Sequence, residues 1–241
     1  MTLSGKRVVI VGGTSGIGFA VGEAALAQGA HVVVASSLAG NVEKAVQRLG
    51  DGGAGFTINV TDEADVEAAF SNLGAFDHLV FTAGDWGGAR RGTFAETDFA
   101  AAQAIFGVRF WGALRVVKHA LKWLAQDGSI TLTNGMIAHR PAKGAVMSSA
   151  MAGGVEHAAL ALSVELAPIR VNMVCPGYIR TDVWASMPPE QREKFLGDAT
   201  ARQPLPRAGL PSEVAEAYIY LMRGGYTTGQ VLRLDGGWSM V

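Results

Sequence analysis

The chemistry this chain can do begins in a glycine loop. Arg7, Val8, Val9, Ile10 and Val11 are followed by Gly12, Gly13, Thr14, Ser15, Gly16, Ile17 and Gly18. A buried-strand run, then glycines, then the start of a helix can cradle a pyrophosphate. Gly12 permits the tight turn, Gly16 lets the backbone approach the phosphates, and Gly18 lets helix and strand pack closely. The helix N-terminus offers free N–H groups and the positive end of its dipole to the anion. An ordinary strand–helix turn is the plain alternative. The strand before the loop and the helix after it supply the context that the dinucleotide reading requires.

The end of the second strand sets the choice between the two nicotinamide dinucleotides. An acid there bonds the ribose hydroxyls of NAD(H) and would repel the 2′-phosphate of NADP(H). This chain has Ala35, Ser36 and Ser37, with no acid and no arginine or lysine. Ser36 and Ser37 can hydrogen-bond a phosphate or cap the next helix. The missing acid tilts the expectation to NADP(H) over NAD(H).

These residues need a scaffold, and the pattern of the whole chain supplies one. Short β-branched runs at residues 8–11, 31–35, 56–60, 77–82, 129–133, 169–174 and 231–234 read as strands. Helical patterns at 17–28, 41–49, 98–124, 146–166, 188–201 and 211–222 lie between them. Another helix is expected after Thr61, read as its cap, with Glu63 and Asp65 in the first turn where the dipole favours acids. Strict alternation of β and α elements predicts an α/β, doubly wound, Rossmann-type parallel sheet of seven strands in one domain.

Bulk properties agree with this. At 241 residues, 49% hydrophobic and 17% charged, the chain can bury a sizeable core. A net charge of −1 gives no basic patch for nucleic acid. The single cysteine, Cys175, excludes an internal disulfide and a cysteine zinc cluster. No run of 18 apolar residues suits a membrane span. The first strand starts near Arg7, which leaves no room for a signal peptide, and a cytoplasmic location is the expectation.

Taken together, the motifs resemble the short-chain dehydrogenase/reductase family over nearly the whole chain. Val11 to Gly18 matches its T-G-x-x-x-G-I-G, with valine for the threonine. Thr82, Ala83 and Gly84 resemble its N-A-G turn. Glu165 to Asn172 is close to its run into the sixth strand. Pro176, Gly177, Tyr178, Ile179, Arg180 and Thr181 fit its P-G-x-x-x-T, and Thr228 to Gly237 is a further hallmark. The resemblance implies that Asn59 and Val60 touch adenine, that the Ile179 backbone contacts the carboxamide, and that Thr181 lies near the phosphates. It also implies a homotetramer or homodimer built on the helices at 98–124 and 146–166.

The family's chemistry rests on a tyrosine that moves the proton, a lysine four residues later, a serine and an asparagine. Counting along the motifs puts those positions at Ser148, Ala152, Gly135 and Arg109, so all four are changed. No Tyr-x-x-x-Lys occurs anywhere in the chain. A serine hydroxyl at 148 is far too weak an acid to replace the phenol, and general acid–base help is typically worth ~10²–10⁴-fold. Three candidates stand in for the lost groups. Arg109, a guanidinium in an apolar helix, must be paired or reach solvent. It could supply the positive charge that Ala152 lacks, near the nicotinamide ribose or an oxyanion, or it could be a structural ion pair. Tyr178 is the one phenol near the carboxamide motif. His139 follows the fifth strand and is the usual proton carrier near neutral pH; a solvated loop with Arg140 and Lys143 is the plain alternative.

Other residues have simpler expectations. Glu156 and His157 read as interface or surface residues, Ser148 and Ser149 as a helix start, and Trp86, beside Asp85, as a substrate wall. Residues 182–207, carrying Trp184, Met187, Phe195 and Leu196, read as a lid that excludes water. Its apolar side chains suggest a hydrophobic or aromatic carbonyl substrate. The expected function is an NADP(H)-dependent oxidoreductase acting on a carbonyl/alcohol pair with a non-standard site and no metal. The alternative is an NADP(H)-binding pseudoenzyme or sensor without turnover.

Overall fold

Every strand of the sheet is parallel, and this follows from how each one is reached. The computed structural model describes residues 2–84 and 93–241; Asp85 and Trp86 lie outside them. The strands are β1 (Arg7–Val11), β2 (His31–Ser36), β3 (Gly53–Thr57), β4 (Phe76–Phe81), β5 (Leu124–Thr133), β6 (Arg170–Pro176) and β7 (Val231–Leu234). Their order is β3-β2-β1-β4-β5-β6-β7. The chain winds outward from β1 to β3, then crosses back beside β1 to lay down β4. That reversal leaves a crevice at the carboxyl ends of β1 and β4, the place where open α/β sheets bind ligands.

Helices cover both faces. They are α1 (Gly16–Ala27), α2 (Ala39–Leu49), α3 (Glu63–Leu73), α4 (Phe99–Phe106), α5 (Ala113–Ala120), α6 (Val146–Glu165), α7 (Pro189–Thr200) and α8 (Pro211–Arg223). Because side chains alternate across a strand, β1 feeds both cores. Val9 and Val11 pack with Phe70, Val116 and Val155 from α3, α5 and α6. Val8 and Ile10 pack with Val21, Ala45 and Tyr218 from α1, α2 and α8. Tyr218 is wholly buried, and burial pushes its phenol pKa up. Thr133 Oγ1 lies 2.7 Å from both the Phe81 carbonyl oxygen and the Tyr218 hydroxyl. The threonine proton goes to Phe81 O, so the tyrosine must donate to the threonine.

Three sequence expectations are corrected. The third strand lies three residues early, at Gly53–Thr57, paired to β2 from Val32↔Gly53 to Ser36↔Thr57. Its glycines hide it: a Cβ at Gly53 or Gly55 would come within 2.6 Å of Leu49 or Val42, so α2 lies directly on this strand. The cap of α3 is Asp62, whose carboxylate accepts from the Ala64 and Asp65 amides, whereas Thr61 donates to Asn59 Oδ1. The long helix at 98–124 divides into α4, a π-helical segment Gly107–Gly112, and α5, with Leu124 already in β5. Arg109 sits in that π-helical segment, a geometry that appears often at functional sites.

Candidate active site

The crevice holds one large cavity of about 1360 Å³, and it gathers the segments that the sequence marked separately. Gly12, Thr14, Ser15, Gly16, Ile17, Gly18, Ser36, Ser37, Asn59, Val60, Ala83, Gly84, Pro176, Gly177, Ile179 and Thr181 all line it. Drug-sized pockets run to about 1,000 Å³, so the space exceeds what one small ligand fills.

The loop is built by close approach. Gly12 has φ +90°, and a Cβ there would lie 2.3 Å from the Ala83 nitrogen. A Cβ at Gly18 would lie 2.3 Å from the Gly12 oxygen, so α1 starts in contact with the turn. The Thr82 hydroxyl donates to that same oxygen at 3.0 Å and ties the end of β4 to the loop. Gly16 faces Thr181, whose Cβ and Cγ2 would be 3.3 Å from an added Cβ. The glycine loop and the carboxamide motif, far apart in sequence, therefore close on one another. At the other end, Asn59 Oδ1 accepts from the Thr61 amide at 3.1 Å, and Asp65 accepts from the Asn59 amide at 2.6 Å, fixing the turn after β3. Asn41, which the sequence did not single out, joins Ser36 and Ser37 on the wall. Among the described residues no charged side chain lines that end. Ser36 Oγ also accepts weakly from Leu38 N at 3.5 Å, so it serves the turn into α2 as well.

Gly135, Ser148 and Ala152 line the same cavity farther along. A Cβ at Gly135 would meet nothing within 4 Å, so the wall there is open. Ala152 is buried and its carbonyl accepts from Asn134 Nδ2 at 3.1 Å. Arg109 also lines the cavity. Its guanidinium lies flat against Gly84: a Cβ there would come 2.7 Å from Cζ, Nε and Nη2. The cation thus stands at the carboxyl end of β4.

Tyr178 lines the cavity, and its ring touches those of Trp184, Phe195 and Trp238. His139 does not line it. Its Nε2 stands 3.0 Å from Glu156 Oε2 without hydrogen-bond alignment. Glu156 also accepts from Asn134 Nδ2 at 3.1 Å. Glu156 is therefore tied inward to the end of β5 rather than standing free on the surface, whereas His157 and Lys143 are exposed. Cys175 is inert as a nucleophile, since burial, with Glu156 and Asp235 nearby, pushes its thiol up to about 12.

Residues 182–207 form a short turn, α7 and an irregular tail. Arg180 Nη1 donates to both Glu193 oxygens, at 2.6 and 2.7 Å, and holds α7 against the end of β6. Trp184, Met187 and Phe195 line the cavity, while Leu196 is buried beneath it. The sequence reading missed Trp238. The turn at Asp235 places it: the carboxylate accepts from Gly237 N at 3.0 Å and Ser239 N at 2.7 Å. Burial opposes the charge on Asp235, but these bonds outweigh it and hold the pKa below its ordinary value. The hallmark Asp235-Gly236-Gly237 was the signal that could have pointed to the residue after it. Among the described residues no helix is long and apolar enough to cross a membrane, and no acid, histidine and cysteine group is arranged to hold a metal.

A family model described as enoyl-(acyl carrier protein) reductase matches residues 11–239. The short-chain dehydrogenase/reductase ATR9 of Stachybotrys chlorohalonatus is 36% identical over 251 residues, covering 98% of each chain. Its counterpart ucsE of an Acremonium species is 37% identical, covering 98% of this chain and 96% of that one. Among solved structures, a small-chain dehydrogenase in complex with NADPH superposes with a TM-score of 0.83 at 30% identity, over 99% of this chain and 100% of that one. The MalC reductase/Diels-Alderase of Malbranchea aurantiaca gives 0.91 at 30% identity, over 99% and 98%. With a family model matched over residues 11–239 and relatives matched over nearly their whole length, the chain belongs to the short-chain dehydrogenase/reductase family, oxidoreductases that work with a nicotinamide cofactor.

Proposed function

We propose that this protein is an NADP(H)-dependent oxidoreductase that interconverts a carbonyl and an alcohol with a rearranged acid–base site. The observation that carries the reading is the placement of the Arg109 guanidinium against Gly84, in the same cavity as Ser148 and Ala152. The fit to the cofactor rests on the loop's own geometry, since Gly12 and Gly18 leave no room for a side chain. The absence of an acid beside Ser36 and Ser37 supports NADP(H), as does the relative solved with NADPH. Gly12 to Gly18 would hold the pyrophosphate, Asn59 and Val60 the adenine, Pro176, Gly177 and Ile179 the carboxamide, and Thr181 the phosphates. Bound there, the reduced cofactor supplies a hydride to the carbonyl carbon.

Negative charge then develops on the carbonyl oxygen as its π bond breaks, and a proton must reach it. Arg109 is assigned the stabilisation of that charge, which oriented donors achieve best in a site shielded from water. The Tyr178 hydroxyl is assigned the proton. Residues 182–207 act as a lid over the substrate end. His139 is assigned a positioning role through Glu156, tying the segment that carries Gly135 to α6. Replacing His139 by Asn is expected to change the pH profile of turnover, a readout that a purely structural contact would not move. A homotetramer or homodimer is proposed through α4, the π-helical segment, α5 and α6, where Phe99, Trp111 and Val164 expose large apolar surfaces; a monomer by light scattering would remove that proposal.

The test is a calorimetric titration with NADPH and, separately, NADH, followed by NADPH oxidation with a panel of ketones. Tighter NADPH binding and turnover that falls in Arg109→Ala are expected. Binding of neither dinucleotide would end the oxidoreductase reading. The second reading, a cofactor-binding protein without turnover, is favoured by Gly135, Ser148 and Ala152 at the proton-relay positions. Steady NADPH oxidation with any ketone excludes it.

A further inference from the structure

We propose that the substrate end of the cavity is a site for a flat aromatic ring, and that Trp238 is its specificity-determining residue. The proposal rests on the cofactor reading above and names the substrate class for the same site.

Three chain segments build one aromatic wall there. Tyr178 comes from the end of β6, Trp184 and Phe195 from residues 182–207, and Trp238 from the turn after β7. Tyr178 is the hub, with centroids 4.8 Å from Trp238, 6.2 Å from Trp184 and 6.0 Å from Phe195. It is tilted only 34° to Trp238 and 37° to Trp184, so these three rings run as tilted plates, while Phe195 meets Tyr178 edge-on at 81°. All four rings line the cavity. Aromatic pairs in this range attract beyond the area they bury.

The wall is already set in place. Trp184 Nε1 donates to the Ile179 carbonyl at 2.8 Å, Arg180 holds α7 through Glu193, and the Asp235 turn fixes Trp238. A preorganised wall loses little conformational freedom when a ligand docks. Met136, Met147, Met151 and Met187 line the same cavity. Thioethers adapt to ring edges and favour them. The Arg140 guanidinium lies 5.9 Å from the Trp238 ring, and Glu96, Asp98 and Asp182 line the cavity together with Arg109, so the rings rather than net charge set the preference.

The experiment measures binding to the protein loaded with NADP⁺, which cannot donate a hydride. Acetylnaphthalene and its saturated counterpart acetyldecalin are titrated by calorimetry. They share the carbonyl and nearly the same size, and differ in flatness and π-character. Acetylnaphthalene is expected to bind about tenfold tighter or better, equivalent to about 1.4 kcal/mol. In Trp238→Leu the ratio is expected to fall close to one with NADP⁺ affinity unchanged, and in Trp238→Phe to survive. Phe195→Leu is the second variant and should also lower the ratio. Equal binding of the two ketones to the natural protein, binding of neither, or a ratio that survives Trp238→Leu would overturn the proposal. If NADP⁺ itself fails to bind, the cofactor reading falls, and this proposal falls with it.

Discussion

A single methyl group at Gly84 should disable Arg109 without touching it covalently. In the native structure that methyl would sit 2.7 Å from Cζ, Nε and Nη2 of the guanidinium. Comfortable contact needs about 3.5–4.0 Å, so the guanidinium must retreat by about 1 Å. The obstacle is the end of a flexible side chain, so the backbone need not move. Gly84 is not among the glycines with positive φ, and alanine fits its backbone without strain. The substitution also narrows the unfolded ensemble, worth ~0.4–1 kcal/mol in favour of folding. Stability is therefore expected to stay within about 1 kcal/mol of the natural protein. Function is a different matter. A hydrogen bond to a charged group contributes ~1.5–3 kcal/mol, which converts to about 10- to 150-fold in affinity or rate at 1.4 kcal/mol per tenfold. The assay is the dissociation constant for NADPH by calorimetry, with kcat/KM on the best ketone from the panel beside it. Gly84→Ala, Arg109→Ala and the double variant form a cycle. If the methyl acts only through Arg109, Gly84→Ala costs nothing further in the Arg109→Ala background. An equal loss in both backgrounds would show that the methyl obstructs the ligand directly. An Arg109→Ala protein with unchanged NADPH affinity and unchanged turnover would refute the role assigned to Arg109.

Three further substitutions probe other parts of the argument. Ser36→Asp puts a negative charge where the 2′-phosphate is expected, and Coulomb repulsion at partly exposed sites should weaken NADPH by more than about tenfold while improving NADH; unchanged preference in paired titrations would mean the phosphate lies elsewhere. Thr133→Val removes the acceptor of the buried Tyr218 hydroxyl and should cost ~1–3 kcal/mol, read as a melting point lower by about 2–4 °C per kcal/mol; no loss would show the phenol to be satisfied otherwise. His78 is buried on β4 beside Ser129 Oγ at 2.9 Å, and burial pushes its pKa from 6.5 down to about 4. The unfolded chain then binds its proton from about pH 6.5 downward and the native one only near pH 4, so stability falls as pH drops through that window, by ~3 kcal/mol in full. Denaturant melts of His78→Gln across the window should show a correspondingly shallower decline, and an identical slope would remove this account.

The proposed mechanism divides labour in a way that the geometry makes specific. The glycine-loop end of the cavity is built from backbone and glycine, with side chains such as Thr82 bracing the loop through the 3.0 Å bond to Gly12. The other end is built from side chains that local motifs do not place. Arg109 reaches the cavity from the π-helical segment between α4 and α5. A wider turn there changes which residues of the helical stretch face the crevice. Asp235 serves the site indirectly by fixing the turn that carries Trp238.

Much of the fold was legible in the sequence because it is governed by local pattern. The all-apolar strand β1, the glycine loop and the acidic first turn of α3 each express a preference of a few consecutive residues. Alternating elements then restrict the topology to a doubly wound sheet. That the glycine loop, Ser36, Asn59, Gly84 and Thr181 line one cavity follows from the same topology, since they lie at the ends of strands whose order it fixes. Where local pattern was weak, the reading slipped. Gly53 and Gly55 gave no strand signal, because β3 owes its glycines to contact with α2. The contacts of Arg109 with Gly84, of Glu156 with Asn134 and His139, and of Trp238 with Tyr178 join residues from different elements. No spacing along the chain encodes them. They arise when helices pack on the sheet and the last strand comes to rest beside β6, which brings distant side chains within van der Waals reach. The sequence by itself determined a parallel sheet with a tight glycine turn after its first strand. The tertiary structure decided which cation and which aromatic rings line the cavity, because side-chain neighbours across elements depend on packing geometry rather than on sequence period.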